Sequence, residues 1–207
     1  PSTEQSATGM RISVRKKLKV TNRQDIADKL QSDQNIPLKM YSLDGSPCDC
    51  VIAALDGGIH ILEPELMPTM CISGVNQGPN ISVDIMHSGT VSAARESALY
   101  GLPSIAVSLA TYEHSNFEYS VKGAIEVMQS CLDFLPKVPS DFLRTNGSKS
   151  VIEMSSNSES IRANFALGNI FLNLNAPVRW NGDFNTVSLG SRWYRNAIKS
   201  HELDDGS

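Results

Sequence analysis

Cys71-Ile72-Ser73-Gly74-Val75-Asn76-Gln77-Gly78-Pro79-Asn80 is the stretch on which the fold is decided. Residues 68 to 73 are short and apolar around Met70, Cys71 and Ile72, which predicts a buried strand. After Ser73 the composition turns to Gly, Pro and Asn, the signature of a loop, here residues 74 to 87. Ser88 to Tyr100 then reads as a helix: Ala93, Ala94 and Ala98 favour it, and Gly101-Leu102-Pro103 ends it. Ser104 to Leu109, with Ile105, Ala106 and Val107, is a second buried strand. Strand, loop, helix and strand in succession imply an α/β layered fold with a mostly parallel sheet. Ligands of such sheets bind at the carboxyl ends of the strands, and the loop after Ser73 holds that place.

The loop has the chemistry for an anion and a cation side by side. Gly74 and Gly78 let backbone come close to a ligand. Asn76 and Asn80 each offer a neutral carbonyl oxygen, which suits a hard divalent cation, and an amide donor, which suits a phosphate oxygen. His87-Ser88-Gly89-Thr90 opens the helix, whose first N–H groups lack internal partners and carry partial positive charge. The Ser88 and Thr90 hydroxyls add donors at the same point, making an anion site without a lysine. A well-capped loop with no ligand fits the same residues. Asp84 and His87 flank the loop and read as a solvated carboxylate and a rim residue.

Outward from this centre, residues 10 to 20 alternate Ile12, Val14, Leu18 and Val20 with Arg15, Lys16, Lys17 and Lys19, which predicts a half-exposed strand with a solvated basic face. Residues 22 to 31 suit a short helix. Gly45-Ser46-Pro47 is a helix start: serine caps, and proline at the first position loses an N–H that had no partner. That helix runs through Val51, Ile52 and Leu55, with Gly57 and Gly58 as its stop. Residues 117 to 135 carry an apolar stripe of helical period, and Ile170 to Leu174 is a strand broken by Pro177. Residues 136 to 160, rich in Ser, Asn and Pro, read as a surface insertion. The end from His201 is polar and acidic and reads as frayed.

The 207 residues fit one domain, and 41 % hydrophobic content supports a packed core. A net charge of −4 argues against a nucleic-acid polymer as partner. No apolar run is long enough for a membrane span. Cys48 and Cys50 are one residue apart, so they make neither a redox C-x-x-C nor half a zinc knuckle, and all four cysteines read as reduced intracellular thiols. No G-x-x-x-x-G-K-[ST], G-x-S-x-G or C-x₅-R sequence occurs, which excludes three common phosphate and acyl chemistries.

Read as a whole, residues 72 to 108 (S-G-V-N-Q-G-P-N, then D-I-M-H-S-G-T-V-S-A-A-R-E-S-A-L-Y-G-L-P-S-I-A-V-S) closely resemble the signature of the SurE survival-protein family. Three weaker matches follow the family's order: Pro1 to Ile12, Gly45-Ser46-Pro47-Cys48-Asp49-Cys50-Val51, and Leu172-Asn173-Leu174-Asn175-Ala176-Pro177. The resemblance implies a three-layer, Rossmann-like α/β fold. It implies a metal-dependent phosphatase acting on nucleoside 5′- and 3′-monophosphates, in some members also on polyphosphate. It places Ser6 and Asn76 on metal-binding positions for Mg²⁺ or Mn²⁺, and Asn80, Ser88, Gly89 and Thr90 on phosphate-holding positions.

The family also opens on a strand followed by N-D-D-G, whose aspartates are its main metal ligands and catalytic carboxylates. No counterpart is found here, because Asp204-Asp205-Gly206 follows no strand. The sequence-based expectation is therefore a single domain, residues 1 to 207, truncated at its N-terminus with the first strand missing and shortened at its C-terminus, its catalytic residues unknown. A homo-oligomer is expected, with a nucleoside monophosphate or other phosphomonoester as substrate. An intracellular, cytoplasmic location is expected, with organellar targeting left open because the chain opens on Pro1. The alternative is an inactive subunit with a structural or anion-binding role in a larger assembly.

Overall fold

In a computed structural model of the protein, the described residues are 7, 9–31, 36–113, 115–135, 155 and 157–191. Five strands and seven α-helices are found among them. In chain order they are β1 (Val20–Asn22), α1 (Gln24–Leu30), β2 (Tyr41–Leu43), α2 (Pro47–Ala53), α3 (Ile59–Leu62), β3 (Cys71–Gln77), α4 (Asp84–His87), α5 (Gly89–Leu99), β4 (Ser104–Leu109), α6 (Glu118–Cys131), α7 (Ser158–Ala166) and β5 (Leu172–Ala176).

The main sheet has the order β3-β4-β5 and is parallel throughout. Its central strand β4 is buried from end to end, which is why Ser104 to Leu109 reads as an apolar run and not an alternating one. Ile105 and Val107 point to one face, where they pack with Ala124 and Cys131 of α6 and Phe165 of α7. Ala106, between them, points to the other face and packs with Val91 and Ala94 of α5. Helices therefore cover both faces, giving the three-layer α/β architecture that the sequence predicts. A small antiparallel pair, β1 with β2, stands apart from this sheet.

Local chemistry accounts for the helix boundaries. Ser46 caps α2 by accepting from the Asp49 N–H, and the Asp49 carboxylate accepts in return from the Ser46 N–H at 2.7 Å, a reciprocal capping box. Ser88 caps α5 by accepting from the Val91 N–H at 3.1 Å. The helix that begins as α2 does not stop at Gly57 and Gly58 as expected. It kinks there, Gly57 at φ 97°, and one more turn follows as α3.

A larger difference concerns residues 10 to 20. Only Val20 of that stretch is in a strand. Its backbone finds partners at the start of α2 instead of on a neighbouring strand: Ser13 N–H donates to Asp49 Oδ1 at 2.8 Å, and the Arg11 carbonyl accepts from the Ser46 hydroxyl. Val14 is 77 % exposed, so there is no buried face to impose strand register. Residues 136 to 154 and 156, the body of the expected insertion, lie outside the described residues. Its last three, 158 to 160, form the first turn of α7, capped by Asn157. No helix among the described residues is long and apolar enough to cross a membrane.

Candidate phosphate-binding site

β3 runs past Ser73 to Gln77, four residues beyond the sequence-based expectation, and the reason is a bulge. Ser73 pairs with Ala106, but Asn76, three residues on, pairs with Ser108, only two residues on. One extra residue in β3 reverses the alternation of its side chains. Val75 is thereby left on the α6 face, packed in the core with Ile105 and Val107. Asn76 moves to the face that carries Ser108. Gly74 permits this: its φ is +133°, and a Cβ there would lie 2.4 Å from the Val107 carbonyl oxygen. Any side chain at residue 74 would push β3 off β4.

At the carboxyl end of the sheet, Asn80 is buried and braced by partners on two strands, β4 and β5. Its N–H donates to Asn175 Oδ1 at 2.8 Å, and its Nδ2 donates to the Ser108 hydroxyl at 2.7 Å. Its carbonyl accepts from Asn173 Nδ2 at 2.8 Å and from Asn175 Nδ2 at 3.1 Å. Asn173 and Asn175 lie two apart on β5 and therefore share a face, the one on which Ala106 and Ser108 also lie. Asn76 commits its Nδ2 to the Gly78 carbonyl at 2.9 Å, which leaves its Oδ1 as the atom to offer outward.

α5 follows β3, precedes β4 and packs on both, so its N-terminus sits at the same end of the sheet as Asn76 and Asn80. Gly89 and Thr90 are its first two residues, whose N–H groups face out of the helix start. The Ser88 oxygen is occupied by Val91 N–H, but the hydroxyl proton remains to be donated. The chain before β1 closes in here as well: Gly9 N–H donates to the His87 carbonyl at 2.9 Å. Ser6 lies outside the described residues.

Asp49 is the residue that sequence reasoning passed over. It is 3 % exposed and accepts from Ser13 N–H, the Ser13 hydroxyl at 2.9 Å, and Ser46 N–H. Burial pushes its pKa up, but the hydrogen bonds from Ser13 and Ser46 overrule it, and the net displacement is downward. It ties Ser13 to the start of α2. The Ser46-x-x-Asp49 spacing was the available signal.

The sequence matches the Survival protein SurE family over residues 1–199. The chain belongs to the SurE family. Among similar SurE proteins, the 5′-nucleotidase SurE of Natranaerobius thermophilus is 39 % identical over 117 residues, covering 56 % of this chain and 41 % of that protein. The 5′-nucleotidase SurE of Fervidobacterium nodosum is 42 % identical over 118 residues, covering 57 % and 41 %. The 5′-nucleotidase SurE of Pelotomaculum thermopropionicum is 38 % identical over 136 residues, covering 66 % and 48 %. The chain thus spans less than half the length of these SurE relatives. The crystal structure of the SurE protein from Aquifex aeolicus matches with 31 % identity and a TM-score of 0.47, covering 66 % of this chain and 48 % of that one.

Proposed function

We propose that this chain carries the phosphate-holding half of a nucleotidase that hydrolyses nucleoside 5′- and 3′-monophosphates, with polyphosphate as a further substrate. One observation carries the reading: in a chain of the SurE family, Asn76, Asn80 and the α5 N-terminus meet at the carboxyl end of a parallel sheet, with Asn76 re-aimed there by a bulge that needs Gly74.

The residues divide the work by chemistry. The Gly89 and Thr90 N–H groups, with the Ser88 and Thr90 hydroxyls, hold the non-bridging phosphate oxygens against the positive end of α5. Donors fixed in this way stabilise the charge that builds on those oxygens in the transition state. Asn80 keeps one amide proton on Ser108, and the other is directed to the phosphate. The four hydrogen bonds at Asn80 keep these donors from reorganising as charge develops.

A divalent cation, Mg²⁺ or Mn²⁺, belongs to the reading, with Ser6 and Asn76 as ligands. The described residues alone do not fit such an ion. No group of three His, Cys, Asp or Glu residues is gathered among them, and Asn76 Oδ1 is a single neutral donor where a hard dication takes most of its charge from carboxylates. The chemistry assigned to this chain is therefore that of anchoring the phosphoryl group.

The test is phosphate release from AMP by the full-length protein with Mg²⁺ or Mn²⁺ and with a chelator. Release is expected only with the cation, and it falls at least about tenfold in Asn76→Ala and Ser88→Ala, as loss of a preorganised contact at a reacting phosphate does. Equal rates in wild type and both variants refute the assignment of these residues.

A further inference from the structure

Tyr112 stands just beyond β4, at the carboxyl end of the sheet, and has no part in the proposed phosphate contacts. Its ring lies directly against Gly78: a Cβ on that glycine would be 2.0 Å from Tyr112 Cε1 and 2.5 Å from Cζ. The backbone around the ring is held from three sides. Gln77 Nε2 donates to the Tyr112 carbonyl at 3.2 Å, Gly78 N–H donates to the Leu109 carbonyl at 3.0 Å, and Asn76 Nδ2 donates to the Gly78 carbonyl. The loop that presents Asn76 and Asn80 thus also seats the tyrosine. Yet Tyr112 is 65 % exposed. An aromatic ring fixed on a glycine but left in water, beside a site made of hydroxyls and amides, is an apolar face in search of an apolar partner.

We propose that the exposed face of Tyr112 is the platform on which the nucleobase of the substrate stacks; the proposal rests on the nucleotidase reading above. The occupant follows from what is joined to the phosphate. A nucleoside monophosphate carries one flat, aromatic group, and a tyrosine face accepts any base because every base has a π-face. The polar groups of the site read the phosphate, and the ring reads only the presence of a base. The enzyme is therefore tolerant among bases and selective for nucleotides over phosphomonoesters of plain sugars.

Equilibrium calorimetry on the full-length protein separates the two parts, with AMP and ribose 5-phosphate as probes, since they share the sugar and phosphate and differ in the base. Wild type binds AMP more tightly. Tyr112→Ala is expected to lose about 5- to 150-fold in AMP affinity, the span of one base stacked on an aromatic residue, and to leave ribose 5-phosphate unchanged. Tyr112→Phe keeps the AMP preference, because the stacking face is intact. The proposal is overturned if Tyr112→Ala still prefers AMP, if wild type shows no preference, or if Tyr112→Ala weakens both probes equally, which is the mark of a brace for the loop. Phosphate release from the same two compounds reports on the nucleotidase reading separately: base preference without turnover refutes the catalytic reading and leaves the platform standing.

Discussion

Replacing Asp49 with alanine removes one carboxylate from a place where three donors converge. Ser46 N–H is at 2.7 Å, Ser13 N–H at 2.8 Å and the Ser13 hydroxyl at 2.9 Å. Ser46 is 2 % exposed, so its N–H would have no water to turn to, which costs about 1–3 kcal/mol. Ser13 is half-buried, and hydration would recover much of its loss, leaving about 0.5–1 kcal/mol for its two donors. Relief from keeping a charge buried offsets part of this. The net expectation is a loss of about 1–3 kcal/mol, with Ser13 released from the start of α2. In urea, with a slope of about 2 kcal/mol/M, the midpoint falls by about 0.5–1.5 M. Asp49→Asn keeps one acceptor and falls between. The pH dependence follows from the direction of the Asp49 shift. Its folded pKa lies below its ordinary value of 3.8, so its stabilising contribution is complete above that pH and is lost as pH falls through the lower, folded value. The gap between wild type and Asp49→Asn accordingly narrows only in strong acid. An Asp49→Ala midpoint within about 0.2 M of wild type at neutral pH, worth about 0.4 kcal/mol at that slope, refutes the role given to this carboxylate.

Two further expectations follow from buried groups. Asn80→Ala strands the fully buried Ser108 hydroxyl and lowers stability by about 1–3 kcal/mol; adding Ser108→Ala recovers part of it, since removing both partners leaves nothing unsatisfied, and a denaturation double-mutant cycle reads the coupling. Among the four cysteines, Cys50 is exposed and Cys48 is fully buried, with burial first, and then the Glu96 charge, pushing the Cys48 thiol up to about 11; a thiol reagent at pH 8 labels Cys50 in the native protein, and Cys48 only on unfolding, as mass spectrometry of the labelled peptides will report.

Most features governed by local chemistry were open to reading from the sequence, although Gly57 and Gly58 kink a helix they were expected to stop. The Ser46 and Ser88 caps, the β4 strand and the family signature around Asn76 were legible because a cap, an apolar run and a motif are properties of neighbours in the chain. Where backbone and side chains find distant partners, by contrast, depends on the folded chain as a whole. Residues 10 to 20 have the alternation of a strand, yet Ser13 pairs with Asp49, 36 positions away, and the strand is reduced to Val20. Asn76 reaches the face it shares with Ser108 through a bulge whose cause, the closeness of Val107 to Gly74, is invisible in sequence. Asn80 reads as a ligand-facing amide; the fold also makes it the knot between β4 and β5, through partners 28 and 95 positions away. Alternation and capping set what a segment prefers, but hydrogen-bond satisfaction across the folded chain sets which preference prevails.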